Sequence, residues 1–183
     1  MFQLYEHYST GDDTYLAPYH TNTWLAQIFT PSINHTVTYV RLKLGKLGSG
    51  SLPGTITVSV KDTDGDGKPA GADLCVGTFN GNFLLPIQSY GGWVIISLGI
   101  GTALTAETKY AIVLKSLEDN LQNRMAWYAD TTSPTHDRGY YSDTSDGGLN
   151  WANSTSKDFM FEEYAGAPEG SDSDEESKII CCM

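Results

Sequence analysis

The sequence predicts an all-β protein, an antiparallel two-sheet β-sandwich or jelly roll. Apolar and polar residues alternate with a period of two in many short segments, as they do in strands that bury one face. Clusters of Gly, Pro, Asn and Asp separate these segments and provide turns. No amphipathic stretch reaches the length of an ordinary helix, and such a series of short strands is typical of two antiparallel sheets packed face to face.

The predicted strands follow one another along the chain. In VRLKL, Val40, Leu42 and Leu44 face one way while Arg41 and Lys43 face the other. The segment TITVSV repeats this alternation. The predicted strands span residues 24–29, 40–44, 55–60, 93–98, 109–115, 124–129, 138–142 and 158–164.

The domain organisation follows from length and composition. A chain of 183 residues suits one domain with a substantial core. We expect an N-terminal arm over residues 1–23, a β-sandwich domain over residues 24–165 and an acidic, flexible C-terminal tail over residues 166–183. The tail is rich in acids, poor in aromatic residues and ends in KIICCM, a composition typical of a flexible segment. Its acids are Glu169, Asp172, Asp174, Glu175 and Glu176.

Charge and hydropathy narrow the range of partners. The formal net charge is −11, and an acidic surface repels phosphate backbones, so we expect no nucleic-acid partner. No window approaches the ~20 apolar residues of a membrane helix. The N-terminal MFQLYEHYSTGDD lacks the basic region and apolar core of a signal peptide. We therefore expect no membrane partner. The three cysteines, Cys75, Cys181 and Cys182, define no closed disulfide framework.

The stretch KDTDGDGKPAGADL has two interpretations. Alternating carboxylates, a glycine and a later acid fit the pattern of a calcium loop, although Asp replaces the closing Glu. The other interpretation is a long β-hairpin, because Asp and Gly are also ordinary turn residues. An ion bound here would stabilise the loop and take no part in chemistry. The candidate calcium ligands are Asp62, Asp64, Asp66, the Lys68 carbonyl and Asp73.

Two further motifs predict architecture. TSDGGLNW matches the Asp-box pattern through Thr144, Asp146, Gly148 and Trp151, and one copy predicts a hairpin whose aspartate bonds its own turn above a packed aromatic ring. LTAETKYAI resembles the approach to a tyrosine corner, in which Tyr110 ties a turn to the start of an inner strand.

The aromatic residues offer a candidate sugar-binding platform. Exposed Tyr and Trp rings can stack on sugar rings, and the second half of the chain is rich in both. The alternative is that these rings belong to the core, since half the residues of an alternating strand face inward. The candidate ligand-binding residues are Trp127, Tyr128, Tyr140 and Trp151.

No catalytic constellation stands out. The histidines, at positions 7, 20, 35 and 136, have no zinc-site spacing, and there is no nucleophile elbow, Cys–His pair or phosphate loop. We therefore expect a protein that is not an enzyme, with no cofactor other than a structural calcium ion.

The order of these pieces resembles a known family. From Trp24 to Tyr164, WLAQIF, VRLKL, the Asp-rich hairpin, KYAIVLK and DFMFEEY follow one another as in the carbohydrate-binding-module-like "choice-of-anchor" β-sandwich modules of prokaryotic surface proteins and phage structural proteins. The resemblance implies a jelly-roll-like sandwich with a presenting or binding role and no catalytic residues. Glu107 stands where such modules commonly have Gly.

Two functions remain open from the sequence. The first is a structural module on the surface of a phage or virus virion, of the decoration or fibre type, whose partners are other virion proteins or further copies of itself. In that case the acidic strip and KIICCM would lie along a neighbouring subunit. The alternative is a carbohydrate-binding or adhesion module of a prokaryotic cell-surface protein, with glycans as ligands. The expected location is the virion surface or the extracellular space.

Overall fold

The computed structural model confirms the all-β, two-sheet β-sandwich. It describes residues 2–48, 50–116, 118, 120 and 122–166, and these residues contain thirteen strands and two single-turn 3-10 segments. The 3-10 segments are Gly81–Phe83 and Ile87–Ser89. The strands are β1 (Gln3–Tyr8), β2 (Thr14–Leu16), β3 (Trp24–Phe29), β4 (His35–Lys46), β5 (Thr55–Thr63), β6 (Pro69–Asn80), β7 (Gly92–Leu104), β8 (Tyr110–Ser116), β9 (Met125–Asp130), β10 (Tyr140–Thr144), β11 (Ala152–Ser154), β12 (Asp158–Phe159) and β13 (Phe161–Ala165).

Both sheets are antiparallel. The first has seven strands in the order β1-β13-β4-β9-β12, with β2 added beside β9 and β7 beside β4. The second has six strands in the order β11-β10-β3-β8-β5-β6. The segment predicted as one strand over residues 158–164 is split at Met160, whose N–H donates to the Tyr128 carbonyl and whose carbonyl accepts from the N–H of Lys43. Two short strands, β12 and β13, therefore pair with β9 and β4 respectively.

The alternation read from the sequence matches the inner and outer faces of the strands. Val40, Leu42 and Leu44 of β4 are fully buried between the sheets. Arg41 and Lys43 point outward, where they form ion pairs with Glu162 and Asp12. Each fully buried aliphatic side chain of this kind contributes roughly 1.5–3 kcal/mol to folding. The hydrophobic effect thus decides which face of each strand is buried.

The two sheets close against each other along one side. There β6 ends the second sheet and β7 lies at the edge of the first. A side chain at Gly77 would collide with the Ser97 carbonyl oxygen of β7, so only glycine permits this approach. In β7 the kink of Gly99 and Gly101, both at positive φ, projects Ile100 into solvent with 97% of its surface exposed.

The structure describes the predicted N-terminal arm but only the first residue of the predicted C-terminal tail. Residues 1–23, predicted as an arm, contribute β1 and β2 to the first sheet. β1 pairs with β13, and β2 pairs with β9. The predicted acidic tail lies outside the described residues apart from Gly166, whose carbonyl accepts a hydrogen bond from Thr38.

The loops are grouped at the two ends of the sandwich. The polar end comprises loops 30–34, 64–68, 105–109 and 131–139, as the strand pairing requires. The apolar end includes the opposite loops 17–23, 50–54, 81–91 and 145–151, together with residues 47, 48 and 122–124. The polar end is named for its buried ion pair between Glu163 and His35, and the apolar end for exposed side chains such as Phe83 and Tyr90.

Candidate interaction surface

The Asp-rich stretch forms the hairpin between β5 and β6. The Asp64 carboxylate accepts hydrogen bonds from the N–H groups of Asp66 and Lys68, both at 2.9 Å. The N–H of Asp64 donates to the Lys68 carbonyl at 2.9 Å, and Gly67 adopts a φ of 73°. Two of the candidate calcium ligands are therefore bonded within the turn itself.

The other candidate ligands lie on or beside the flanking strands. Asp73 is on β6, where the ammonium of Lys61 donates to its carboxylate at 3.1 Å and that of Lys115 lies 4.0 Å away. Burial alone would raise the pKa of Asp73, but the hydrogen bond and charge of Lys61 lower it below the usual range. Asp62 pairs with Ala70 in the ladder, and Asp66 is exposed at the turn.

The hairpin interpretation is confirmed by these bonds. Across residues 2–48, 50–116, 118, 120 and 122–166, no three His, Cys, Asp or Glu side chains converge in an arrangement that could hold a metal ion. Calcium binding by the hairpin stays a prediction, because hairpin bonds and an ion can coexist in one loop.

The four candidate platform residues do not share a surface. Trp127 is fully buried between the sheets, where it stacks on Phe159 with ring centroids 4.1 Å apart and donates from Nε1 to the Met160 carbonyl. Its ring is unavailable to a sugar. The core alternative holds for this residue because position 127 faces inward in β9.

The remaining three platform candidates lie on opposite outer faces. Tyr128 is on the first sheet, 6% exposed, and burial raises its pKa to about 12. Tyr140 and Trp151 are on the second sheet, where Trp151 is buried in a cluster with Ala26, Ile28, Ala111 and Val113. The four rings therefore do not lie together on one surface.

Both architectural motifs are confirmed. The Asp146 carboxylate accepts from the backbone N–H groups of Leu149 and Asn150 and from the Asn150 side chain. These bonds, chiefly that from the Asn150 side chain, lower the pKa of Asp146 to about 2. The Tyr110 hydroxyl accepts from the N–H of Thr105 at 3.1 Å and so closes the tyrosine corner.

At the polar end a buried ion pair joins β4 to β13. The Glu163 carboxylate, fully buried, accepts from His35 Nε2 at 2.8 Å, and His35 Nδ1 donates to the Ile33 carbonyl at 2.9 Å. Because both ring nitrogens face acceptors, His35 is an imidazolium. Burial favours the neutral ring, but the hydrogen bond and charge of Glu163 outweigh it and raise the pKa of His35. Tyr5 stacks on the imidazolium at 3.9 Å.

Arg138 ties three loops together beside this pair. Its guanidinium donates to the carbonyls of Thr30 and Pro31 and to the Glu107 carboxylate, each at 2.9 Å. Glu107 has a φ of 60°, which is the left-handed conformation that glycine adopts without strain. Glutamate in place of glycine at position 107 thus adds backbone strain, and the ion pair to Arg138 offsets that strain.

A second buried polar group lies where β3 meets β12. Gln27 donates to the Asp158 carboxylate at 2.9 Å and accepts from the N–H of Phe159, so it links the two sheets. Burial raises the pKa of Asp158 to about 6, despite the hydrogen bond from Gln27. Burial lowers the pKa of the neighbouring His136 to about 4. Opposite Asp158, Asp130 accepts from the Tyr8 hydroxyl at 2.6 Å.

The apolar end exposes large apolar side chains from three loops. Tyr90 stands out because its φ of 60° is left-handed, and the following Gly91 is left-handed as well. This turn directs an aromatic ring into solvent. The exposed fractions are 81% for Tyr90, 65% for Phe83, 56% for Tyr19, 53% for Leu52 and 41% for Leu85.

Hydrogen bonds around the end of β4 hold these loops together. The N–H of Lys46 donates to the Leu85 carbonyl at 3.0 Å, and its ammonium donates to the Asn82 carbonyl at 2.7 Å. Asn82 in turn accepts from the N–H of Gly54 at 2.9 Å. Phe83 and Leu85 border a shallow apolar depression that Leu44, Phe79 and Val94 also line. The exposed rings are therefore carried by loops of defined conformation.

One cation borders this group. The Arg124 guanidinium lies 4.8 Å from the centre of the Tyr19 ring. Within the described part of the chain it has no carboxylate within ion-pair distance, and its Nε is buried without a hydrogen-bond partner. We call Tyr19, Leu52, Phe83, Leu85, Tyr90 and Arg124 the apolar-end patch.

The sequence pattern does not predict this patch. Its main segment, GNFLLPIQSYGG, was the available signal, since five large apolar residues occur there among turn residues. No periodicity distinguishes the buried Leu84, 6% exposed, from its exposed neighbours Phe83 and Leu85. Only the folded loop shows which side chains reach solvent.

Comparisons with known proteins identify no family for the chain. No protein-family model matches it. No curated protein matches it. The described residues include no helix of the length and apolar character needed to cross a membrane.

Proposed function

We propose that the protein is a non-catalytic structural module on the surface of a phage or virus virion, of the decoration or fibre type. The observation that carries this proposal is the apolar-end patch, in which five large apolar side chains are exposed on one end of a sandwich. Large apolar groups that are exposed in one region of a protein are typical of surfaces that other proteins cover. The partners are other virion proteins or further copies of the chain, and the location is the virion surface or the extracellular space.

The chemistry of the polar end supports a non-catalytic role. Glu163 and His35 neutralise each other, and Asp130 accepts from Tyr8 and from backbone N–H groups. A catalytic acid or base must reach a substrate. These groups instead bond to the fold, as structural groups do.

A particle-binding assay tests the proposal. We expect the protein to co-sediment with virions from the organism that encodes it, and the double variant Phe83→Ser, Tyr90→Ser to remain in the supernatant. Ile100→Ser is the matched control, because it removes an exposed apolar side chain from the middle of β7 instead of the apolar end. Genes for a capsid or tail protein on either side of the coding gene would support the same conclusion.

A carbohydrate-binding or adhesion module is the second candidate. Tyr19, Phe83 and Tyr90 expose their rings at one end of the sandwich, and exposed aromatic rings can stack on sugars. A glycan array tests this function, since Tyr90→Ala should abolish any glycan affinity. Glycan binding without association with any particle would replace the virion proposal.

A further inference from the structure

Residues 167–183 combine chemistry that complements the apolar-end patch. Five acids lie between residues 169 and 176, and Ile179, Ile180 and Met183 follow. The patch has the converse arrangement, with exposed apolar side chains beside Arg124, which has no carboxylate partner among the described residues. Charged groups of opposite sign guide association, while apolar groups supply most of its free energy.

We propose that the C-terminal segment of one copy docks on the apolar-end patch of a neighbouring copy. The acids lie beside Arg124, and the side chains of Ile179 and Ile180 cover Phe83, Leu85 and Tyr90. The proposal rests on the proposed function and names its partner as a second copy of the chain.

Geometry favours a neighbouring copy over the same one. The described chain ends at Gly166, bonded to Thr38 near the start of β4, whereas the patch lies beyond the other end of β4 at Lys46. Those eight residue steps of strand cover about 26 Å. The linker over residues 167–177 has eleven residues, and a flexible chain of that length has an r.m.s. end-to-end distance of about 18 Å. Docking in the same copy would hold the linker beyond its r.m.s. length, at about two-thirds of its upper limit of about 40 Å.

A contact of this kind is heterologous, because different surfaces of the two copies meet. Each copy then offers one segment and one patch. Heterologous contacts repeat into rings or into open rows of subunits. Either arrangement suits a protein that covers a particle surface.

Analytical ultracentrifugation of the full chain, under reducing conditions that keep Cys181 and Cys182 from cross-linking, tests the proposal. We expect concentration-dependent association by the unmodified chain. Ile179→Asp with Ile180→Asp should abolish it, and Phe83→Ser or Tyr90→Ser should weaken it roughly tenfold or more. Ile100→Ser should associate normally. Arg124→Gln should weaken association at low salt and reduce its dependence on salt concentration.

Mixing variants provides the sharpest test. The Ile179→Asp, Ile180→Asp chain retains its patch, and the Phe83→Ser, Tyr90→Ser chain retains its C-terminal segment. We expect their mixture to form one-to-one heterodimers and nothing larger, because only one complementary contact remains. Association of the Ile179→Asp, Ile180→Asp chain by itself would indicate patch-to-patch contact and overturn the proposal.

The inference and the proposed function fail separately. A full chain that stays monomeric at every concentration overturns the inference. If that chain still co-sediments with virions, the proposed function stands and another virion protein covers the patch. If it binds neither itself nor virions, both are overturned.

Discussion

Each end of the sandwich contains a non-glycine residue with a strained, positive φ, but the side chains of these two residues have opposite surroundings. Glu107 at the polar end and Tyr90 at the apolar end are the non-glycine residues at positive φ among those the structure describes, both at 60°. The Glu107 carboxylate accepts a hydrogen bond from Arg138, so its strain is offset inside the molecule. The Tyr90 ring is 81% exposed, and no side-chain hydrogen bond or ion pair to another described residue offsets its strain.

This difference separates the structural ion pairs of the polar end from the surface that we propose binds partners. At the polar end, ionisable groups far apart in sequence neutralise one another, as do Glu163 and His35. At the apolar end, five large apolar side chains meet water instead. The polar end is rich in ionisable residues, whereas the proposed binding surface lies at the apolar end, where large apolar side chains are exposed.

The largest effect is expected from Glu163→Ala. The change removes the principal counter-charge of the buried His35 imidazolium, which costs roughly 3–5 kcal/mol in the free energy of unfolding. Urea denaturation measures it. Glu107→Ala is the matched control, because its partly exposed ion pair contributes about 1 kcal/mol or less. Equal losses in the two variants would show that the buried pair has no special role.

A pH-dependent effect is expected at Asp158. Its folded-state pKa of about 6 lies above the ordinary 3.8, so the folded state holds more protons between pH 4 and 6 and loses stability as pH rises through that range. Asp158→Asn should remove this loss, and its advantage over the unmodified protein should grow to about 2 kcal/mol by pH 6. Denaturation at a series of pH values measures the difference.

Asp146 is the control, because its effect on stability changes with pH in the opposite direction to that of Asp158. Its pKa is lowered to about 2, so its ionised form stabilises the fold above pH 4 and that stability is lost as pH falls through 2. Asp146→Asn should therefore be less stable than the unmodified protein at pH 6, while Asp158→Asn is more stable. If both variants were less stable than the unmodified protein at pH 6, burial would not be the cause of the raised pKa of Asp158.

A smaller effect is expected at the Asp-rich hairpin. Asp64→Ala removes two hydrogen bonds from backbone N–H groups and should lower stability by about 1 kcal/mol in the presence of a chelator. Thermal denaturation measures it. A calcium-dependent rise in Tm that Asp62→Asn and Asp66→Asn abolish would establish the predicted ion. No change in Tm on adding calcium would rule it out.

The smallest effect on stability is expected at the apolar end. Tyr90→Gly relieves a strained φ and removes an exposed ring, so the free energy of unfolding should change by less than about 1 kcal/mol. Association or particle binding should nevertheless fall. Leu84→Ala is the control, because this buried neighbour should cost about 2 kcal/mol or more. A large loss of stability in Tyr90→Gly would assign the residue to the core and end the comparison between the two ends.

Local chemistry made several features predictable from sequence. The Asp146 hairpin and the Tyr110 corner depend on residues at most five positions apart, and both form as expected. The predicted strand over residues 158–164 was interrupted instead, because Met160 bonds to two neighbouring strands at once. The N-terminal residues were assigned to an arm because their pairing partners, β13 and β9, are more than a hundred residues away.

The sequence by itself determined that this chain folds as a β-sandwich, because a period of two in apolar residues can be buried only by stacking sheets. The tertiary structure alone decided that Trp127 is core and Tyr90 is surface, and that Glu163 meets His35 across 128 residues. These outcomes depend on strand order and register, which long-range pairing sets. The local pattern of a segment carries no information about them.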